Sequence, residues 1–322
     1  MISQFPPYGV FADHYAETVE PNNLAPFRWL GSPLDREETY SVWKAKVLGD
    51  ISHTLWPLWF REKSAWIDPN HDHMLALTHA DFDLMSKLTE QDQLEQKPAV
   101  SSPSEKLKTH LDYFQDEDEN DFGGDFLAYC SEFDETDERH IRKTNQFIRS
   151  YYGSISIQFK NEIQRPRAYQ TSLMLGKSFN MKLAKSAVTS SMSSGHCFQG
   201  CMFGCLVYER WLNANKLPSS AELNALKQFT VDIGDRRVFA GVHYPSDNLS
   251  SWLMTLMLIP KVFENPLIGD FMVSAIAERS LVWQCIKESN DPAFTPAVKL
   301  IEKTMLETVQ SNLSWTPFSK HA

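Results

Sequence analysis

Apolar residues recur at helical spacing along most of the chain. A stripe with three- and four-residue intervals predicts a helix from about residue 36, and its members are Trp43, Val47, Ile51, Leu55 and Leu58. Two further helices are predicted at 74–94 and 104–114, the second entered through a Ser-Pro-Ser break. This half of the chain is therefore expected to be helical.

The C-terminal half shows the same periodicity. A second stripe predicts a long helix that begins near residue 137, and it consists of Ile141, Ile148, Tyr152, Ile155 and Phe159. Additional helices are predicted at 194–214, 219–235, 246–259, 267–288 and 294–311. Because convincing strand-like alternation is absent, the sequence predicts an all-α fold, a helical bundle with irregular loops at one end.

Three regions are distinguished along the chain. Residues 1–35 are rich in Pro, Asn and Gly and predict an irregular N-terminal arm. Residues 36–135 form an N-terminal helical region with an acidic loop, and 136–322 form a second helical bundle, expected to pack with it as one unit. The acidic stretch at 112–138 favours a solvated loop over a mobile lid or a cation site.

Charge and hydropathy limit the kinds of binding partner and the cellular location that are expected for the chain. The net charge of −10 argues against nucleic acid or an anionic membrane surface as the main partner. The longest apolar run, at 252–259, is too short to span a bilayer, and the first twenty residues lack the pattern of a secretory signal. With a mean hydropathy of −0.36, the chain is expected to be soluble and cytoplasmic.

The cysteines and the clustered histidines are of residue types that can form metal or redox sites. An odd number of cysteines, five, without CxxC spacing indicates reduced thiols. Cys197, Cys201 and Cys205 would share one helical face, which favours a buried core position over a metal or redox site. The group at 71–79, with three histidines and Asp72, favours a polar helix start, so no metal site is expected.

Three short segments combine residue types that suit a phosphoryl group. The first runs from Lys160 to Arg167, the second is Ser-Ser-Gly-His at 193–196, and the third is Arg-x5-His-x3-Asp at 237–247. Cationic side chains can grip phosphate oxygens, and a guanidinium can bind two oxygens at once. A serine and a glycine at the start of a helix can add donors where the helix dipole favours an anion. The expected phosphate-binding residues are Lys160, Arg167, Ser194, Gly195 and Arg237.

Two histidines and one carboxylate can divide the chemistry. Asp247 lies four residues after His243, so its carboxylate can reach back across one helical turn and fix the tautomer of the ring. We therefore assign His243 as nucleophile, Asp247 as its orienting partner and His196 as general acid.

These segments resemble the signature of the type 2 phosphatidic acid phosphatase (PAP2) superfamily, which includes class A acid phosphatases, lipid phosphate phosphatases and vanadium haloperoxidases. Its signature is K-x6-R-P, P-S-G-H and S-R-x5-H-x3-D, and the resemblance covers residues 160–247. It implies that 136–322 is a bundle of this type. Ala168, Ser193 and Arg236 depart from the signature, but none of these departures removes a group that touches phosphate or transfers a proton.

The resemblance implies a soluble, metal-independent phosphatase that forms a phosphohistidine and needs no cofactor. The same oxyanion pocket would bind vanadate in a vanadium haloperoxidase, which is the alternative, and a phosphate sensor that retains the pocket is a third possibility. The expected partner is a phosphorylated small molecule whose identity, like the oligomeric state, the sequence leaves open. The acidic stretch and the N-terminal arm are the candidates for shaping the substrate site.

Overall fold

The computed structural model describes residues 49–51, 54, 58–59, 66, 70, 72–98, 108–117, 124–126, 141, 155–177, 181–182, 184, 187–214, 218–263 and 265–313. Within these ranges all regular secondary structure is helical and no strand occurs. The predicted all-α class is confirmed for this part of the chain. The predicted arm at 1–35 lies outside it, as do Trp43, Val47 and Leu55 of the first apolar stripe.

The helices are numbered here in chain order. They are α1 Asp72–Glu90, α2 His110–Glu117, α3 Ala168–Met174, α4 Gly195–Asn213, α5 Ser220–Phe239, α6 Pro245–Val262, α7 Leu267–Arg279, α8 Leu281–Ser289 and α9 Thr295–Leu313. A short 3₁₀ helix, Gln93–Glu95, follows α1, and residues 155–163 are also helical. Helix α6, predicted at 246–259, starts at Pro245, which suits the first turn because proline needs no donor partner there.

One predicted helix, 267–288, is wrong as a single element. The structure divides it into α7 and α8 at Ser280, whose backbone is extended. The Ser280 side chain caps α8, because its Oγ accepts the N–H of Trp283 at 3.1 Å. Asp235 of α5 reinforces the break, since it accepts the Ser280 hydroxyl at 2.9 Å and the N–H of Val282 at 3.2 Å. A contact with a distant helix, invisible in the local pattern, thus ends α7.

The core is formed by α4, α5 and α6, against which α7 and α9 also pack. Helices α1 and α2, from the N-terminal half, pack against α5, and α1 also reaches α6. Cys197, Cys201 and Cys205 are fully buried on α4, which confirms their predicted core position. Among the described residues, no group of His, Cys, Asp and Glu side chains could hold a metal ion.

Glycines bring α4 and α5 unusually close together. A Cβ atom on Gly204 would lie 2.0 Å from Oγ1 of Thr230, and one on Gly200 would lie 2.9 Å from the Cβ of Ile233. From the other side, a Cβ on Gly234 would meet Sγ of Cys197 at 2.6 Å. The two helices therefore approach to a distance that only glycine allows at these positions.

The apolar faces of these helices are turned toward one another, and no helix in the described ranges has the length and apolarity needed to cross a membrane.

Candidate active site

The three predicted segments meet at the ends of helices. Arg167 is the residue before α3, Ser194 caps α4, Arg237 lies in the last turn of α5, and Asp247 lies in the first turn of α6. Their side chains are buried, as is that of Lys160, which is 5% exposed. Each of these four residues is positioned by the end of its own helix. Packing of the four helices then brings the side chains together in one cationic site.

His243 and Asp247 form the predicted pair. Nδ1 of His243 lies 2.8 Å from Oδ2 of Asp247, which also accepts the N–H of Tyr244 at 3.0 Å and the hydroxyl of Ser191. An ionised carboxylate can only accept, so Nδ1 carries the proton and Nε2 keeps its lone pair. This is the tautomer that a nucleophilic histidine requires.

Asp247 is held in its ionised form. Burial by itself would raise the pKa of this carboxyl, but Arg165, the His243 ring and the Ser191 hydroxyl oppose burial and hold the pKa well below the ordinary value for aspartate. Asp247 therefore remains an acceptor across the physiological range and keeps the ring of His243 in one orientation.

Arg167 points at the reactive nitrogen. Its Nη1 lies 3.0 Å from Nε2 of His243 and donates to the Val242 carbonyl at 2.9 Å, while Nε donates to the Thr189 carbonyl at 2.7 Å. Burial lowers the pKa of Arg167 to about 10, which still leaves it charged at neutral pH. Because a guanidinium can only donate, Nη1 donates to the lone pair of Nε2, and an anion that displaced this contact would meet a guanidinium fixed by two backbone carbonyls.

Lys160 and Gly195 lie next to each other. Nζ of Lys160 donates to the carbonyls of Ser190 and Ser191 at 2.7 and 2.9 Å, and burial, with the neighbouring Arg167, lowers its pKa well below the usual lysine value. A Cβ on Gly195 would lie 3.8 Å from Cε of Lys160. The Oγ of Ser156 would be nearer still, at 3.4 Å, so the start of α4 faces both Ser156 and Lys160.

Ser194 performs the structural role that its position allows. Its Oγ accepts the N–H of Cys197 at 3.4 Å and caps α4, and its own N–H donates to the Asp247 carbonyl at 3.3 Å. Ser251 donates its hydroxyl to the Ser194 carbonyl at 2.8 Å. The first turn of α4 is thereby tied to α6, which fixes where the helix dipole points.

His196, the second residue of α4, is half-buried. Burial, followed by the charges of Arg237 and the proximity of His243, lowers its pKa well below the usual histidine value, and its ring is hydrogen-bonded to the backbone of Glu117. The two histidines therefore lie in one electrostatic neighbourhood, as the sequence predicts.

Glu117 changes the interpretation of the acidic stretch. The solvated loop predicted at 112–138 is wrong at its start, because Glu117 is the last residue of α2 and is fully buried. Its Oε1 accepts from Nε and Nη2 of Arg236 at 2.9 and 2.5 Å, and its Oε2 lies 3.4 Å from Nη2 of Arg237. Arg236, which departs from the signature, is thus a buried ion-pair partner. The remaining residues from 118 to 138, apart from 124–126, lie outside the described ranges.

The sequence interpretation missed several residues that support the site. Ser191 and Ser246 carry no distinguishing signal, and Arg165 lies inside the first segment but was given no role there. Asp81, on α1, bonds Arg165 across 84 positions of the chain. No local pattern links residues so far apart, so only the folded structure could reveal this contact.

Comparisons of the chain with protein-family models, with curated proteins and with solved structures found no match.

Proposed function

We propose that the chain is a metal-independent phosphatase that hydrolyses phosphate monoesters through a phosphohistidine. The observation that carries this proposal is the position of His243, whose Nδ1 is held by Asp247 while Nε2 faces Arg167 at 3.0 Å. A histidine nucleophile needs a fixed tautomer and a cation that binds the electrophile, and both are present. The resemblance to the PAP2 superfamily in the three segments supports the same reading.

In the first step Nε2 of His243 attacks phosphorus and the bond to the ester oxygen breaks. The electron pair of that bond leaves with the alcohol oxygen, which takes a proton from His196. Lys160, Arg167, Arg237 and the N–H of Gly195 stabilise the charge on the three remaining phosphate oxygens. The bonding electrons that Nε2 contributes leave the ring cationic, and Asp247 offsets that charge through Nδ1–H.

In the second step His196, now neutral, takes a proton from water, whose oxygen attacks phosphorus. The N–P bond breaks, its electron pair returns to Nε2, and phosphate leaves. His196 must be protonated for the first step although its pKa is low in the free protein. A bound phosphate dianion counteracts the nearby positive charge that contributes to this low pKa, so substrate binding raises it and prepares the acid.

The test is release of phosphate from p-nitrophenyl phosphate by wild type and His243→Ala. We expect turnover to fall by about four orders of magnitude, since the nucleophile is lost, while vanadate, which mimics phosphate, still binds because the cations remain. The exposed His73→Ala, on α1, is the matched control and should be unchanged.

Two outcomes would contradict the proposal. Phosphatase activity that persists in His243→Ala excludes the phosphohistidine route. Halide-dependent consumption of peroxide after addition of vanadate, without any phosphate release, assigns the chain to the haloperoxidase alternative.

A further inference from the structure

Arg165 is enclosed deep behind the nucleophile. The side chain is 1% exposed, and its guanidinium carbon lies 3.7 Å from the ring centre of Tyr244 and 4.3 Å from that of Trp66. Stacking of this kind on aromatic rings fixes the plane of a guanidinium and stabilises its charge away from water. Arg165 therefore has one orientation available to it.

That orientation joins two carboxylates. Nη1 of Arg165 donates to Oδ1 of Asp247 at 3.1 Å, and Nη2 donates to Oδ2 of Asp81 at 2.7 Å. Ser246 closes the network: its hydroxyl accepts from Nη1 at 2.6 Å and donates to Asp81 Oδ2 at 2.5 Å, and its N–H donates to Asp81 Oδ1 at 2.9 Å. The fork of the arginine is thus fixed by α1 on one side and α6 on the other.

Asp247 uses its two oxygens differently. Oδ2 accepts from His243, and Oδ1 accepts from Arg165. A carboxylate anchored at one oxygen cannot rotate about its Cβ–Cγ bond, so its other oxygen stays in line with Nδ1 of the imidazole. Arg165 consequently helps to set the direction of the bond that orients the histidine, from the oxygen that the Tyr244 N–H and the Ser191 hydroxyl do not reach.

We infer that Asp81 and Arg165 are positioning residues for His243 and act on it through Asp247. The inference rests on the proposed phosphatase function and extends it to α1, a helix more than 100 positions away from the nucleophile in the sequence. The hydrogen bonds of Asp81 described here all go to Arg165 and Ser246, so its effect on the reaction passes through them.

Charge gives the network a second effect. Burial raises the pKa of Asp81 to about 6, so both carboxylates are ionised at neutral pH. One guanidinium between them then leaves a net negative charge beside His243. Arg167, at Nε2 on the other side of the ring from Asp247, disfavours a cationic imidazole. The pKa of His243 is accordingly low, with burial as the largest cause, Arg167 as the next and the charge of Lys160 as a smaller one. The net negative charge offsets these cations when His243 becomes positively charged in the phosphohistidine.

The first experiment is Asp81→Asn. The asparagine keeps the shape, but in either amide orientation its NH2 group faces a donor, which is Nη2 of Arg165 or the N–H of Ser246. We expect kcat to fall about 10- to 100-fold because the attacking nitrogen is misaligned, with little change in KM or in the affinity for vanadate. The matched control is Asp83→Asn, two residues away on α1, whose exposed carboxylate pairs only with partly exposed Lys177 in the described contacts.

A double-variant series separates positioning from general destabilisation. If Asp81 acts through Asp247, adding Asp81→Asn to Asp247→Asn should change kcat by less than about twofold, because the bond that it orients is already lost. Losses that multiply instead would overturn the inference. Should Asp81→Asn fail to fold, Ser246→Ala replaces it, since it removes the bridging hydroxyl and keeps the backbone contact to Asp81.

A spectroscopic measurement tests the inference without phosphatase activity. The Nδ1 proton of His243 should give a downfield NMR resonance in wild type and Asp83→Asn, and it should move upfield or broaden in Asp81→Asn. A folded Asp81→Asn protein with an unchanged resonance and unchanged kcat would refute the positioning role. Absence of phosphate release from wild type would refute only the proposed function, because the resonance still reports on the network.

Discussion

His243 and His196 lie in one site but are held by different kinds of contact. On the nucleophile side, which comprises His243, Asp247, Arg165 and Asp81, every link is a side-chain hydrogen bond between buried groups. On the acid side, which comprises His196, Arg237 and Glu117, the histidine is half-buried and bonds a backbone group of α2. The nucleophile side is therefore a closed network, and the acid side remains open to a ligand.

The difference fits the two tasks in the proposed reaction. Attack on phosphorus requires one direction of approach, so a nucleophile benefits from fixed geometry. A general acid must reach the oxygen of leaving groups that differ in size, and partial exposure permits this. We expect substitutions on the nucleophile side to change kcat and substitutions on the acid side to change binding as well.

The largest effect is expected for Asp247→Asn. The amide can present a donor to Nδ1 and so favour the wrong tautomer of His243, which should reduce kcat by about 10⁴-fold with the fold intact. Steady-state kinetics and the unfolding temperature measure the two quantities. Ser191→Ala removes only one donor to the same carboxylate and should cost less than about tenfold. Equal losses in both variants would contradict the tautomer argument, because Ser191→Ala keeps the carboxylate that accepts from Nδ1.

A smaller and different effect is expected for Glu117→Gln. The neutral amide leaves the charges of Arg236 and Arg237 buried with less compensation, so the free energy of unfolding should fall by about 3 kcal/mol. KM and the inhibition constant for vanadate should rise about tenfold as Arg237 shifts, and kcat should change less. Denaturant titration and inhibition kinetics measure these effects.

The control for Glu117→Gln is Asp116→Asn on the same helix, where the carboxylate is 36% exposed and pairs with Lys108. It should leave the free energy of unfolding and the inhibition constant for vanadate unchanged. A Glu117→Gln protein that loses kcat but keeps its affinity for vanadate would contradict the division between the two sides.

The smallest expected effect concerns the dependence of stability on pH. Burial raises the pKa of Asp235, on α5, to about 7 in the folded chain, whereas it is near 3.8 when unfolded. The folded state then binds more protons between these values, so the stability contributed by Asp235 is present at low pH and lost as pH rises toward 7. Asp247 has the opposite shift, and its contribution is lost only in strong acid.

Replacement of Asp235 by Asn should remove this slope. Between pH 5 and pH 7 the wild type should lose about 2 kcal/mol relative to Asp235→Asn, from about 1.4 kcal/mol for each pH unit. Urea titrations at pH 5, 6 and 7 measure the difference. Parallel curves for the two proteins would show that Asp235 titrates normally.

Local patterns predicted most of the described helices, though not α3, and the three motif segments, because both depend on residues that are close in sequence. The helix cap at Ser194, the helix start at Pro245 and the pairing of His243 with Asp247 across one turn belong to this class. Contacts between Asp81 and Arg165 and between Glu117 and Arg236 were not predictable, because burial of a charge depends on which distant helix packs over it. The end of α7 at Ser280 was missed for the same reason.

The glycines between α4 and α5 have a consequence for how this site can evolve. His196 and Arg237 are carried by these two helices, and the clearance between the helix backbones is set at Gly200, Gly204 and Gly234, one to two turns away from the chemistry. A single added methyl group at Gly204 would overlap Thr230, and only separation of the helices could relieve it. The spacing between His196 and Arg237 therefore depends on Gly200, Gly204 and Gly234, and a larger residue at any of them would change it.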